Sequence, residues 1–285
     1  MSSQKNNLAF HTKSLVKPIL KWPGGKSKLK DKVFDIFPKA FKRYFEPFFG
    51  GGAIFLNVIS SNPKMKTYIN DLNLELINFY KIVRDHPRDL MKHSEIFRQK
   101  YSETFYYSLR RQNNLSPLES AARTLFLNKT CFNGLYRLNS RGEFNTPFGK
   151  RTSCPNLYSE ENLFYWSKIL KKSFVFNEDF ETFLEKAETD DLVYCDPPYL
   201  PKTKTSSFTA YHSKGFHLDE QIRLRDNCIK LANRGVKVIV SNSDTELSRE
   251  LYKDFKIYFV ETKRYIGANP ESRVVTNEIL ASLNI

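Results

Sequence analysis

The composition of the 285-residue chain is that of a folded protein with a basic surface. Hydrophobic residues make up 40% of the chain and aromatic residues 14%, which is enough apolar material for a sizeable core and excludes a disordered chain. The 45 Lys and Arg residues exceed the 31 Asp and Glu residues, and the formal net charge of +14 favours a polyanionic partner such as nucleic acid over a solvated basic surface with no partner.

The first predicted elements are a strand, a glycine turn, a helix and a second strand. Arg43 to Glu46 is a short apolar run that stops at Pro47 and leads into Gly50-Gly51-Gly52, and Ala53 to Ile59 is helical in pattern. Thr67 to Ile69 predicts the next strand. Apolar residues then recur at helical spacing until Pro87 interrupts the pattern. This is the order of a β-α-β unit.

The later predicted elements continue the alternation of strands and helices. A helix with a buried stripe at Leu224, Cys228 and Leu231 ends at Gly235. The predicted strands of this half are Ser173 to Phe176, Leu192 to Cys195 and Val236 to Val240, followed by a hairpin of Ile257 to Glu261 with Val274 to Leu280. The pattern predicts an α/β fold with a mostly parallel sheet, helices on both faces, and ligands beyond the carboxyl ends of the strands.

The middle of the chain interrupts this alternation. Residues 78–158 are helical at first and then loop-rich, with Asn, Arg, Gly and aromatic residues mixed together. We therefore expect one domain made of residues 1–77 and 159–285, with residues 78–158 inserted between its two halves as a recognition unit.

The cysteines and the apolar runs argue against several other classes of protein. The four cysteines form no C-x-x-C pair and have no histidine at ligand spacing, so we expect neither a disulfide framework nor a metal site. No apolar run is long enough to cross a bilayer, and the first residues lack the apolar core of a signal peptide. We expect a cytoplasmic protein.

Two acidic residues lie at the ends of the first two predicted strands. Glu46 precedes the glycine turn, where it could hold an amine or a hydroxyl group while Gly50 lets the backbone approach a ligand closely. Asp71 ends the second strand, where α/β nucleotide-binding folds place a carboxylate for ribose hydroxyls. The alternative for Asp71 is a helix N-cap, and the alternative for the glycines is an ordinary turn.

Another glycine turn lies near the start of the chain. Gly25-Lys26-Ser27 suggests a phosphate loop, but that motif needs glycine where Leu20 stands, so ATP hydrolysis is not supported. The remaining features are a flat aromatic, Trp22, and a cation, Lys26, which suit stacking and the binding of a carboxylate or phosphate.

The most specific motif is Asp196-Pro197-Pro198-Tyr199, directly after a predicted buried strand. The prolines make the corner rigid, so that the Asp196 carboxylate and the Pro197 carbonyl can both accept hydrogen bonds from one NH₂ group. An aromatic amine is a poor nucleophile, and two fixed acceptors stabilise the positive charge that develops on it during alkylation, while Tyr199 can stack on its ring. A base inside a duplex cannot reach such a corner unless its nucleotide is flipped out.

Together these motifs resemble the Dam family of DNA adenine N6-methyltransferases, in the D12 class with the alpha-type motif order. The resemblance extends from Leu20 to Leu280. It also rests on three longer stretches, Phe132 to Arg137, Arg141 to Gly149 and Ser241 to Thr245. It implies a Rossmann-like S-adenosylmethionine-dependent methyltransferase sheet with an inserted, mainly helical target-recognition domain that contains a β-hairpin. Residues 78–158 would be that domain.

The resemblance also implies roles for individual residues. Positions matching those that bind S-adenosyl-L-methionine are Trp22, Lys26, Glu46, Gly50, Asp71, Asp179, Phe180 and Asp196, with Glu46 near the amino-acid end and Asp179-Phe180 at the adenine. Asp196, Pro197 and Tyr199 would form the catalytic corner. Positions matching those that face double-stranded DNA are Lys21, Asn133, Leu135, Arg137 and Pro147, with Phe132 as an aromatic wedge beside the extruded base.

The expected activity is direct methyl transfer from S-adenosyl-L-methionine to adenine N6 in double-stranded DNA after base flipping, without a metal. The usual target of the family is GATC, and the Arg137 guanidinium suits the O6 and N7 acceptors of guanine. Arg151 stands where some relatives carry an aromatic residue.

We expect a monomer or weak dimer, in a restriction-modification system or another role. The alternatives are an RNA adenine or DNA cytosine-N4 methyltransferase, or a DNA-binding relative that has lost catalysis.

Overall fold

The computed structural model of the protein describes residues 16–24, 29–139, 142–199, 216–265 and 273–285. Within these ranges seven strands form one sheet in the order β3-β2-β1-β4-β5-β7-β6. The strands are β1 (Arg43–Glu46), β2 (Lys66–Asn70), β3 (Ser173–Phe176), β4 (Leu192–Cys195), β5 (Lys237–Ser243), β6 (Lys256–Tyr265) and β7 (Arg273–Leu283). The predicted α/β sheet is confirmed.

The sheet has a parallel part and an antiparallel end. Strands β1 to β5 pair in parallel, whereas β7 runs antiparallel to both β5 and β6. The predicted C-terminal hairpin is confirmed. Strand β5 continues to Ser243, beyond the predicted end at Val240, because Ser241, Asn242 and Ser243 keep their pairing with β7. These three polar residues are buried, which apolar patterning does not predict.

Helices pack on both faces of the sheet. They are α1 (Lys30–Asp35), α2 (Ala53–Ser61), α3 (Leu74–Asp85), α4 (Pro87–Gln99), α5 (Glu103–Arg111), α6 (Pro117–Thr130), α7 (Glu160–Leu170), α8 (Phe180–Leu184), α9 (Leu218–Asn233) and α10 (Glu246–Leu251). The stripe of α9 packs on one face with Phe45 and Phe183. The other face packs against a cluster that includes Phe55, Tyr80 and Trp166.

The helices of the middle segment share a core with the sheet. Leu90, Tyr106 and Phe126 belong to the same buried cluster as Tyr44 of β1. Helix α3 runs without a break through residue 78, where the predicted inserted segment begins. Helix α4 starts at Pro87, because proline suits the first turn of a helix. After α6 the chain turns back on itself, with antiparallel bridges between Cys131 and Phe148 and between Leu138 and Phe144.

The local sequence explains where several of these elements begin and end. Helix α6 begins in a capping box, in which the Ser116 side chain accepts from the Glu119 amide and Glu119 in turn accepts from the Ser116 amide. Gly235 follows α9 with a φ of +81°, and this left-handed conformation ends the helix as predicted. Across the described ranges, none of the helices has both the length and the apolarity to cross a membrane.

Candidate active site

A cavity of about 1520 Å³ opens at the carboxyl ends of β1, β2 and β4. Parallel strands present their carboxyl ends at one edge of the sheet, so residues that are distant in sequence meet there. The predicted site residues that line the cavity are Lys21, Trp22, Glu46, Gly50, Asp71, Asp179, Phe180, Asp196, Pro197 and Tyr199. Lys26 lies outside the described residues.

Glu46 lies at the end of β1 with only 3% of its surface exposed. The Tyr44 hydroxyl donates a hydrogen bond of 2.8 Å to its carboxylate. Burial is the main cause that raises the pKa of Glu46 well above its ordinary value, and the negative charges of Asp196 and Asp71 add to it. A cationic amine bound beside this carboxyl group would lower that pKa again.

The glycine turn lies under Trp22. Gly50 has a φ of +50°, and a Cβ atom there would lie only 2.8 Å from Cδ1 of Trp22. Gly52 has a φ of +67° and is the N-cap of α2. At position 50, only glycine allows both the left-handed backbone and the close approach of the Trp22 indole ring.

Asp71 fastens the glycine turn to the start of α3. Its carboxylate accepts from the Gly50 amide at 2.9 Å and from the Asn73 amide at 3.0 Å. The N-cap of α3 is Asn73, whose side chain accepts from the Leu76 amide. Asp71 is therefore not the cap, and it faces the cavity.

Asp179 and Phe180 form the wall of the cavity beyond β3. Asp179 is the N-cap of α8 and accepts from the Glu181 amide at 2.9 Å. Arg223 of α9 donates to Asp179 at 2.6 Å, and its guanidinium lies 4.3 Å from the centre of the Phe180 ring. Phe48 and Phe216 complete an aromatic cluster, with ring centres 5.6 Å and 5.7 Å from that of Phe180.

The D-P-P-Y corner follows β4 directly. Ser241 of β5 donates to the Asp196 carboxylate at 2.7 Å, and the Tyr199 hydroxyl donates to Glu278 of β7 at 2.6 Å. Burial, followed by the charge of Asp196, raises the pKa of Tyr199 well above its ordinary value, which keeps the hydroxyl protonated as a donor.

Another side chain holds the middle of the same corner. Gln221 of α9 donates to the Pro198 carbonyl at 2.7 Å, and its own side-chain oxygen accepts from Asn242 at 3.1 Å. Gln221 and Asn242 are fully buried.

The cavity mouth touches the loop that follows α6. The rings of Trp22 and Tyr136 stack with centres 4.1 Å apart. Tyr136 also accepts a hydrogen bond of 2.9 Å from Asn73. The segment before Trp22 is anchored as well, because the Lys21 backbone exchanges hydrogen bonds of 2.9 Å and 2.8 Å with the Asn128 side chain.

The remaining predicted site residues lie on that loop and point away from the core. Phe132 and Leu135 are each 50% exposed, and Asn133 is exposed with a φ of +53°. Arg137 is exposed and donates to the Asn145 side chain at 2.8 Å. The Pro147 carbonyl accepts from the Phe132 amide at 2.9 Å, which closes the loop.

Sequence reasoning missed several residues around the cavity. They are Phe48, Tyr136, Phe216, Gln221, Arg223, Ser241, Asn242 and Glu278. The polar end of β5, noticed only as part of a longer stretch, was the available signal for Ser241 and Asn242. No local pattern singles out Arg223 or Glu278.

No cluster of metal-binding side chains occurs in the part of the chain that the structure describes. Within it, no three His, Cys, Asp or Glu side chains lie close enough together to hold an ion. The four cysteines, all of them described, are free thiols.

The sheet order with its antiparallel seventh strand, the glycine turn and the D-P-P-Y corner define an S-adenosyl-L-methionine-dependent methyltransferase. Residues 22–266 match the model of the D12 class N6 adenine-specific DNA methyltransferases. The chain belongs to this family. It is accordingly a DNA adenine methyltransferase, and S-adenosyl-L-methionine is its methyl donor.

Relatives are similar over nearly their whole length. The type II methyltransferase M1.LlaDCHI of Lactococcus lactis subsp. cremoris is 38% identical over 284 residues, which cover 97% of this chain and 98% of the relative. The type II methyltransferase M.MjaIII of Methanocaldococcus jannaschii is 38% identical over 90% of this chain and 95% of its own. The DNA adenine methylase of Escherichia coli K12 is 36% identical over 266 residues, which cover 92% of this chain and 93% of the relative.

Solved structures are more distant. A SAM-dependent methyltransferase from Agrobacterium tumefaciens is 10% identical with a TM-score of 0.41, covering 90% of this chain and 60% of that one. The rRNA methyltransferase aviRa from Streptomyces viridochromogenes is 13% identical with a TM-score of 0.40, covering 99% and 94%.

Proposed function

We propose that this methyltransferase acts on double-stranded DNA at a specific site, GATC, and transfers the methyl group directly to N6 of an adenine flipped out of the duplex. The observation that carries the proposal is that the D-P-P-Y corner shares one cavity with Glu46, Asp71 and Asp179. That cavity would bring an adenine amine and the donor together. We further propose that the enzyme works in the cytoplasm as a monomer or weak dimer and needs no metal.

The chemistry of the cavity wall fits S-adenosyl-L-methionine, which supplies an electrophilic methyl group on a sulfonium. Glu46 would hold the amino group, because a buried carboxyl group gains most from a cationic neighbour. Asp71 would accept from the ribose hydroxyls, and Trp22, Gly50 and Lys26 would border the same end. Asp179 would accept from the adenine amine of the cofactor while Phe180 packs on its ring.

The D-P-P-Y corner would bind the substrate amine. The Asp196 carboxylate and the Pro197 carbonyl would each accept one N–H, which localises the nitrogen lone pair and stabilises the charge that develops on it. Tyr199 would stack on the purine ring and hold the amine in line with the methyl group. Since the charge is stabilised by hydrogen bonding, these residues need no covalent attachment to the base.

The exposed loop after α6 would read the duplex. Arg137 suits the two acceptors of guanine in the major groove, and Asn133 and Lys21 supply further donors beside it. Pro147 and Leu135 would contact the bases and backbone. Phe132 is a half-exposed aromatic that can fill the space left by a flipped nucleotide, so the unstacking cost is offset.

These roles support the proposed division of the chain. We assign residues 78–158 to target recognition and residues 1–77 with 159–285 to catalysis, with α3 running through the junction.

Two relatives are named type II methyltransferases, which supports a role beside a restriction enzyme.

The decisive experiment compares matched substrates. Purified protein with tritiated S-adenosyl-L-methionine should label a duplex containing one GATC site, and mass spectrometry should identify N6-methyladenine. A duplex with the same composition but a scrambled site, and the corresponding RNA duplex, should stay unlabelled. The variant Asp196→Ala should lose at least about a hundredfold in the rate of transfer, because it removes one of the two amine acceptors, and its affinity for S-adenosylhomocysteine, which Asp196 is also expected to contact, should fall less than the rate.

Four other outcomes would contradict parts of the proposed function. Label in cytosine N4 or in RNA would contradict the proposed substrate. Equal labelling of the scrambled duplex would contradict GATC as the site. An Asp196→Ala variant with full activity would contradict the assigned corner, and cofactor binding without any transfer would indicate a DNA-binding relative.

A further inference from the structure

The D-P-P-Y corner is held by side chains that lie outside it. Ser241 comes from β5, Glu278 from β7 and Gln221 from α9, and each donates to or accepts from a different residue of the corner. These three residues are at most 2% exposed. Buried polar side chains cost free energy unless they are paired, so their presence here calls for a reason beyond stability.

Ser241 sets the orientation of the Asp196 carboxylate. Its oxygen lies 2.7 Å from the Asp196 oxygen and 3.4 Å from the Cys195 carbonyl. A hydroxyl group has one proton to donate. Ser241 donates it to the Asp196 carboxylate, which is the nearer of the two acceptors. The Tyr194 hydroxyl approaches the same Ser241 oxygen at 3.3 Å and can donate to it. The chain Tyr194 to Ser241 to Asp196 is fully buried at its first two members and fixes the rotation of the carboxylate.

Glu278 sets the direction of the Tyr199 ring. The hydroxyl of a tyrosine lies on the long axis of its ring, so a hydrogen bond of 2.6 Å to a buried carboxylate fixes where that axis points. Glu278 itself is fixed by the sheet, because its backbone pairs with Ser243 in the ladder between β5 and β7. A residue of the antiparallel strand β7 thus determines the orientation of the Tyr199 ring, which follows the parallel strand β4.

We propose that Ser241 and Glu278 are positioning residues for methyl transfer: Ser241 aims the Asp196 carboxylate at the substrate amine, and Glu278 aims the Tyr199 ring at the purine face. This rests on the proposed function, in which Asp196 and Tyr199 bind the flipped adenine. Neither Ser241 nor Glu278 needs to touch the substrate, so their effect should fall on the transfer step and not on binding of the cofactor.

The test measures single-turnover transfer and cofactor affinity separately. Ser241→Ala and Glu278→Leu should each lower the transfer rate about tenfold or more, the size of one hydrogen bond to a charged group, while the Kd for S-adenosylhomocysteine changes less than about twofold. Glu278→Gln should keep most of the rate, because its amide oxygen can still accept from Tyr199.

A matched control separates positioning from stability. Ser173 of β3 is also a buried strand serine, with a hydrogen bond of 2.7 Å from Thr67 and one of 3.0 Å to the Ile169 carbonyl. It lies on an edge strand, separated from β4 by β2 and β1. Ser173→Ala should lower the midpoint of thermal unfolding about as much as Ser241→Ala and leave the transfer rate unchanged. Equal loss of rate in both serine variants would overturn the proposal.

A double-mutant cycle tests whether Glu278 acts through Tyr199. If it does, Tyr199→Phe combined with Glu278→Leu should be no slower than the slower single variant, since both remove the same hydrogen bond. Rate losses that multiply would overturn the assignment of Glu278. Full transfer by Ser241→Ala beside an inactive Asp196→Ala would overturn the role of Ser241 alone, whereas full transfer by Asp196→Ala would contradict the proposed function itself.

Discussion

Glu46 shares its cavity with two other acidic residues, Asp71 and Asp196. Burial and these neighbouring charges raise its pKa well above the ordinary value of 4.5. The protonated form is therefore favoured in the folded protein at pH values where the unfolded chain would ionise. Glu46 contributes stability that is complete below that ordinary value and is lost as the pH rises through the raised pKa.

Cofactor binding is therefore expected to release a proton. An ammonium group beside Glu46 would lower its pKa, so between the ordinary value and the raised pKa the carboxyl group should ionise as S-adenosylhomocysteine binds, and affinity should rise with pH through this window. Titration calorimetry in two buffers of different ionisation heat measures the number of protons released. Glu46→Gln should reduce the release and flatten the pH dependence. The same release from wild type and Glu46→Gln would show that the proton comes from another group.

At the scale of elements, the exposed loop after α6 and the cavity at the carboxyl ends of the strands have a common wall. Tyr136 belongs to the loop, but its ring stacks on Trp22, and its hydroxyl accepts from Asn73 at the start of α3. Asn73 in turn donates its amide to Asp71, which holds the Gly50 amide. The start of α3, the glycine turn and the loop after α6 are thereby fixed relative to one another.

Two variants of Tyr136 separate these contacts. Tyr136→Leu removes the stack and should weaken S-adenosylhomocysteine binding about fivefold, within the range measured for aromatic pairs. Tyr136→Phe keeps the ring and loses only the hydrogen bond from Asn73, so the loss should be smaller. Isothermal titration of both variants gives the comparison. Wild-type affinity in Tyr136→Leu would show that the stack does not shape the cavity.

At the scale of the whole molecule, the charge balance governs encounter with DNA. The formal net charge is +14, and many of the basic side chains in the described ranges lie on the surface, some of them in ion pairs that contribute little to stability. Such a charge attracts a polyanion over a distance before any base is read.

DNA affinity should accordingly fall steeply with salt. For about six neutralised phosphates, raising the salt concentration from about 50 to about 200 mM should weaken binding on the order of a thousandfold. Fluorescence anisotropy with a labelled duplex measures the slope, and titration of S-adenosylhomocysteine over the same range is the control, expected to change far less. A DNA affinity that is nearly independent of salt would contradict a phosphate-contacting surface.

The local sequence predicted the strands and several helices because the signals for these elements are local. Short apolar runs predicted β1, β3 and β4 with the bounds observed, and Gly235 predicted the end of α9. The D-P-P-Y corner drew attention because it follows a strand directly, and Glu46 because it is the last residue of one. The bounds of β5 were less accurate, since its last three residues are polar.

The amino-acid sequence by itself determined which residues end the strands at the cavity and what chemistry they carry. Only the tertiary structure decided their buried partners, because Ser241 lies 45 residues from Asp196 and Glu278 lies 79 residues from Tyr199. Those contacts depend on strand order, in which β7 inserts antiparallel between β5 and β6. A buried polar residue has no periodic signature, and its partner is fixed only when the whole sheet has formed.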